Sequence, residues 1–162
     1  MSSTADSTYV GTRPVSPQHA FDEGKLAAFI RDQVTDFPGA LTVSQFKGGQ
    51  SNPTFLVQAG TQQYVLRRKP PGVLLPSAHA VDREFKVISA LAGTDVPVAK
   101  AHALCQDPEV IGTDFYLMDY VPGRIFWDPK LPDVAAADRP ALYDELNRVI
   151  AALHRVNYQA VG

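Results

Sequence analysis

The sequence holds one cysteine, Cys105, in 162 residues, so no disulfide can form within the chain. A lone thiol fits a reducing compartment. No apolar run approaches the ~20 residues that a membrane-crossing helix needs, so no membrane partner is expected. Residues 1–10 contain neither Lys nor Arg and no apolar core of a signal peptide. Arg13 with Asp6 nearby is weak support for a transit peptide. These absences make the cytoplasm the expected location. Positive charge is not in excess either. Fifteen Lys and Arg against 17 Asp and Glu leave a net charge of −2 and an isoelectric point near 6.0. A generic nucleic-acid surface is basic, so no nucleic-acid partner is expected. With 20% charged and 45% hydrophobic residues, the composition is not that of a disordered chain. A chain of this size buries about two-thirds of its unfolded surface, enough for one domain or one lobe of something larger.

The pattern along the chain supplies the elements. Residues 1–18 are rich in Ser, Thr and Pro and read as a mobile leader. Leu26, Phe29, Ile30 and Val34 then fall on one helical face, with Asp22 and Glu23 at its positive end. Leu41–Lys47, Thr54–Val57 and Tyr64–Lys69 form a three-strand meander, interrupted by Gly48-Gly49-Gln50-Ser51-Asn52 and turned at Gly60-Thr61. Pro70-Pro71-Gly72 ends it. Val81, Phe85, Ile88 and Leu91 mark an amphipathic helix over residues 79–92. Two more strands follow at Ala101–Cys105 and Phe115–Val121, joined by a loop through Pro108 and Gly112. Asp138 is a suitable N-cap for a last helix striped by Leu142, Leu146, Val149, Ile150, Leu153 and Val156. The expected fold is α+β: about five antiparallel strands, one helix inserted after the third, one helix before the sheet and one after it.

Four features carry chemistry. The two glycines of the 48–52 loop permit positive φ and close approach of backbone to a ligand, and Ser51 and Asn52 add short polar groups. A plain hairpin turn has the same composition. Arg67 lies mid-strand on the face of Val65 and Lys69, while Leu66 and Arg68 take the other face. It suits either a phosphate or a solvated charge cluster. Glu84 sits on the apolar side of its helix, where a carboxylate needs a cation. Arg67 is one partner; Arg83 and Lys86 are local alternatives. The strand from Phe115 through Met118, Asp119, Tyr120 and Val121 into Pro122-Gly123 either fills a core or offers its backbone to a base edge. Cys105 reads as a small buried residue, Trp127 as a loop anchor and His154 as a structural or exposed helix-end residue.

The order of these features resembles the N-lobe of protein-kinase-like phosphotransferases. The segments GGQSNPTFLV, YVLRRKPPGVLLPSAHAVDREF, TDVPVAKAHALCQD, VIGTDFYLMDYVPGRIFWDP and LHRVN resemble the aminoglycoside phosphotransferase and choline-kinase-like small-molecule kinases. They are most similar to the kinase-like domain fused to some acyl-CoA dehydrogenases, over roughly residues 40–157. The resemblance implies ATP as cofactor. It implies that Gly49, Gln50, Ser51 and Asn52 form the nucleotide loop, that Arg67 stands where kinases carry a lysine, and that Glu84 holds this cation. Met118, Asp119, Tyr120 and Val121 would form the adenine-facing hinge. Arginine keeps the charge and can fork onto phosphate, but lacks the compact ammonium.

The resemblance also implies a catalytic loop similar to His-Gly-Asp with a following Asn, and a metal-binding Asp, both in a second lobe. The one His beyond Gly123 is His154, followed by Arg155-Val156-Asn157, so no catalytic and no metal residue is assigned. The chain therefore reads as a leader (1–18), a nucleotide-binding N-lobe (19–123) and the start of a truncated C-lobe (124–162). Magnesium would need the missing lobe. The partners expected are a nucleotide and, in a full-length protein, a small-molecule hydroxyl substrate. The alternative is a non-catalytic binding module. The apolar stripe over 138–157 is expected to fold back on the sheet or to pair with a second copy of the chain.

Overall fold

The computed structural model describes residues 10–48, 51–72, 75, 78–126 and 128–161. Its centre is a six-stranded, wholly antiparallel sheet. The strands are β1 (Thr12–Arg13), β2 (Thr42–Phe46), β3 (Thr54–Ala59), β4 (Gln62–Arg68), β5 (Ala101–Cys105) and β6 (Phe115–Asp119), in the spatial order β1-β2-β3-β4-β6-β5. The helices are α1 (Glu23–Gln33), α2 (Val81–Leu91), α3 (Pro108–Ile111), α4 (Arg139–Arg155) and α5 (Tyr158–Val161), with one 3₁₀ turn at Pro17–His19. The order is the α+β arrangement expected from the sequence, with α2 carrying the chain from β4 to β5 on the far side of β6.

Four local readings are corrected. The leader is not structureless throughout, because Thr12 and Arg13 pair with Phe46 and Gln45 as a sixth, edge strand. Two polar residues carry no alternation to read; backbone pairing alone makes the strand. Residues 79–80 are not helical: His79 has φ 56°, and α2 begins at Val81. The loop after β5 contains α3, capped by the Asp107 carboxylate accepting from the Glu109 amide and ended at Gly112 with φ 86°. Only glycine adopts that left-handed angle without a Cβ penalty. The Asp138 side chain caps nothing. An N-cap oxygen accepts from the second or third helical amide, and the second residue of α4 is Pro140, which has none. Trp127 lies outside the described residues.

The two-residue link at Gly60-Thr61 fixes the β3–β4 register, with Ala59 opposite Gln62 and Phe55 opposite Leu66. Gly60 at φ 59° suits the first position of a type II′ hairpin. That register sends Phe55, Val57, Tyr64, Leu66, Phe115 and Leu117 to one face, where α1 covers them with Leu26, Ile30 and Val34. Phe55, Leu66, Phe115, Leu117, Leu26 and Ile30 are all fully buried. Asp22 caps α1 by accepting from the Lys25 amide. Ring edges meet ring faces at Phe21–Phe55 and Phe29–Phe115, each 5.3 Å between centroids. This is the closed face. The opposite face carries Leu56, Val65, Arg67, Tyr116 and Met118, and α2 covers only part of it, with the Phe85 ring 6.1 Å from that of Tyr116.

α4 does not lie on the sheet. Its Ala152 joins Leu91 at the end of α2 and Val96, flanked by Val98 and Val156, in a small second core. Leu146, Ile150 and Leu153 of the predicted stripe are exposed.

Candidate functional site

The open face is organised around Glu84. From β4, Arg67 donates Nε to Glu84 Oε2 at 2.6 Å and Nη2 to Oε1 at 3.4 Å. From β6, Tyr116, directly opposite Arg67 in the register, donates its hydroxyl to Oε2 at 3.1 Å. From the loop before β3, Asn52 donates Nδ2 to Oε1 at 3.0 Å. Three separate chain segments thus converge on one helical carboxylate. Of the two readings of Glu84, the one across the strand–helix interface is realised: its carboxylate turns toward the sheet. The Arg67 and Glu84 side chains are each about one-third exposed, 31% and 34%, so water still reaches the pair. Tyr116 is buried, and its burial together with the adjacent Glu84 charge pushes its hydroxyl pKa up to about 12. It therefore stays a hydrogen-bond donor at any physiological pH.

Sequence reasoning named Arg67, Glu84, Ser51 and Asn52 for this site, and the structure brings all four together. Asn52 plays an unexpected part. It is 3% exposed, and its amide is turned inward to Glu84 and to His79 Nδ1, 2.8 Å from Oδ1. Gly49 and Gln50 lie outside the described residues. His79 and Tyr116 were missed. Tyr116 follows from Arg67 once β4 is known to pair with β6, a pairing that chain order does not reveal. His79 had no readable signal, because its place depends on a left-handed backbone turn.

A cavity of about 750 Å³ opens beside this network, lined by Ser51, Asn52, Arg67, His79, Glu84 and Ile88. Its lining offers cation, amide and hydroxyl groups next to apolar surface, which is suited to an anionic group attached to a less polar body. Lys69, the third residue of the predicted cationic face, is instead tied to Asp114 at 2.5 Å beyond the strand.

The hinge residues divide. Met118 and Tyr120 follow Tyr116 on the open face, and the Tyr120 ring lies nearly parallel to Phe46 at 12°, with centroids 6.5 Å apart. Phe46 comes from β2, so the two rings meet across β3 and β4. Asp119 points the other way. Its carboxylate meets His102 Nε2 at 2.6 Å, and the His102 and Tyr64 rings meet at a near right angle. The expected strand reaching Val121 stops at Asp119, whose amide donates to Lys100 O while that of Tyr120 donates to Gln63 O. Val121 is exposed beyond it. Of the four, Asp119 brings no side chain to the open face. Among the described residues, no three His, Cys, Asp or Glu side chains cluster as a metal site.

Comparison with known proteins follows the same outline. Residues 42–162 match the phosphotransferase enzyme family. The chain is 51% identical over 156 residues to the Arabidopsis thaliana protein named "Probable acyl-CoA dehydrogenase IBR3", covering 91% of this chain and 19% of that protein. It is 46% identical over 151 residues to the human acyl-CoA dehydrogenase family member 11, covering 91% of this chain and 19% of that protein. The chain thus spans about a fifth of the length of these relatives. A crystal structure from Ralstonia eutropha, solved as a candidate aminoglycoside phosphotransferase, superposes with a TM-score of 0.77 at 53% identity over 88% of this chain and 41% of its own. With the family model spanning residues 42–162, well over half of the chain, and a solved relative of the same fold, the chain belongs to the phosphotransferase enzyme family.

Proposed function

We propose that the open face binds ATP, and that the chain is the nucleotide-binding lobe of a phosphotransferase acting on a small-molecule hydroxyl. The observation that carries this is the Arg67–Glu84 pair at 2.6 Å beside a cavity. Held by Glu84, the guanidinium keeps a fixed direction while its remaining donors are available to phosphate oxygens. Ser51 and Asn52 border the same space, and Phe46 and Tyr120 offer flat ring faces of the kind a planar base stacks on.

Calorimetry with ATP tests the reading. Binding is expected, and Arg67→Ala should weaken it by about tenfold or more, the scale of a charge-assisted hydrogen bond. Arg148→Ala, which breaks an exposed pair with Glu145 on α4, is the control. An Arg67→Ala affinity equal to that of wild type would sink the proposal. Turnover of ATP by this chain alone should stay at background, since the sequence contains no His-Gly-Asp run.

A second reading rests on α4. Tyr143, Leu146, Ile150 and Leu153 are exposed at steps of three, four and three, the spacing of a two-helix seam. In that reading the chain works by assembly, with α4 pairing against α4 of a second copy. Light scattering that finds a dimer abolished by Leu146→Glu supports it; a monomer at high concentration removes it.

A further inference from the structure

The hydrogen-bond chain at Glu84 does not stop at Asn52, and its direction can be worked out. Paired with Arg67, Glu84 is a carboxylate and can only accept. Asn52 must therefore present its amide nitrogen to Glu84, at 3.0 Å, which leaves its oxygen facing His79 Nδ1 at 2.8 Å. An oxygen accepts, so His79 Nδ1 must carry a proton. The polarity of the whole chain is fixed: His79 to Asn52, Asn52 to Glu84, with Arg67 and Tyr116 donating from the other side.

The backbone at His79 points to the same role. Its φ of 56° lies in the left-handed region, which disfavours residues with a Cβ, although His, Asn and Asp enter it more readily than others. Such a conformation persists where the surroundings hold it. Here the Val81 amide donates to the His79 carbonyl at 2.9 Å, and Val81 is fully buried at the start of α2. The N-cap residue of that helix, Ala80, makes no side-chain cap. The turn at His79 thus joins two things that must stay in register, the helix carrying Glu84 and the loop ending in Asn52.

We propose that His79 is a positioning residue: by donating from Nδ1 to Asn52, it locks the loop before β3 onto α2 and so fixes the direction in which Glu84 holds Arg67. The functional consequence rests on reading Arg67 as a phosphate-binding group; the positioning itself does not. Both the neutral Nδ1–H tautomer and the imidazolium make this bond. The neutral Nε2–H tautomer breaks it.

Nuclear magnetic resonance of the intact chain tests the lock without nucleotide. In the wild type, the neutral His79 ring should show a protonated Nδ1 and an unprotonated Nε2. The Arg67 Nε–H should exchange with water slowly. His79→Ala should speed that exchange by about tenfold, the scale of one lost hydrogen bond. His79→Asn, which tolerates the left-handed backbone and donates from its amide, should restore it to within about threefold. An Nε2–H tautomer in the wild type overturns the proposal, and needs no variant to be folded. So does Arg67 exchange unchanged in His79→Ala. In ATP titrations, affinity should fall with His79→Ala and return with His79→Asn. If the wild type binds no ATP, the function proposed for the open face fails, while the tautomer and exchange measurements still decide the role of His79.

Discussion

Arg67 and Arg68 are neighbours in the chain and opposites in the fold. Strand alternation sends Arg67 to the open face, where Glu84 answers it at 2.6 Å and water reaches it. Arg68 goes to the closed face. It is 2% exposed, its guanidinium carbon lies 5.4 Å from the Phe21 ring centre and 5.9 Å from that of Phe55, and its Nε and Nη1 have no hydrogen-bond partner. Burial alone pulls its pKa down. The same side chain is thus oriented by a carboxylate on one side of the sheet and tolerated by ring faces on the other. The closed face is built for burial, and can absorb an imperfect residue. The open face spends its polar groups on orientation.

The comparison can be broken most severely at Phe55. Phe55→Ala removes a fully buried ring that touches Phe21 and Arg68, and should cost about 3–5 kcal/mol in denaturant unfolding. A loss near 1 kcal/mol would mean that the closed face is not the seat of stability. The next largest effect is a pH dependence at Tyr116. Its pKa is raised from 10.0 to about 12 in the folded chain. Between those values the unfolded chain has released the proton and the folded chain has not, so stability must fall as pH rises. The loss is on the order of 2–3 kcal/mol, complete once pH passes the folded value. Tyr116→Phe should flatten this part of the stability profile; an unchanged slope would place the alkaline loss elsewhere.

Smaller still is the direct contribution of Arg67–Glu84 to stability. The pair is one-third exposed, so a double-mutant cycle should give a coupling of about 1 kcal/mol or less. A coupling of several kcal/mol would make the pair a structural fastener. The smallest effect is expected at Arg68. Arg68→Met removes a buried cation with two unsatisfied nitrogens and keeps most of the apolar stem, so stability should stay within about 1 kcal/mol of wild type or rise. A large loss would show that the two ring contacts matter more than the unsatisfied nitrogens.

How much of this was legible follows from what kind of signal each residue carries. The opposition of Arg67 and Arg68 was readable, because period-two alternation is a property of the strand itself. Glu84 was readable as a carboxylate on an apolar helix face. The orientation of Asp119 was readable too, two steps of two from Phe115, because the alternation that places Phe115 and Leu117 on the closed face extends to it. Tyr116 and His79 were not readable. One depends on β6 lying between β4 and β5 against chain order, the other on a single backbone angle. The edge strand β1 left no trace, since two polar residues pair through backbone alone. The fate of the α4 stripe was half-visible: Ala152, too small to stand out in a periodicity count, makes the contact, while Leu146, Ile150 and Leu153 stay outside.

Cys105 has a practical consequence. It is the one thiol in the chain, is 2% exposed on β5, and its pKa is pushed up chiefly by burial. A thiol reagent in solution meets it when β5 lifts away, and the labelling rate relative to a free thiol measures how often that happens. Any compound that binds the intact sheet and not its opened form must slow the labelling, by the factor one plus its concentration over its dissociation constant. Occupancy of one side of the sheet is thereby reported by an untouched atom on the other, with no probe attached to the site and no reaction required.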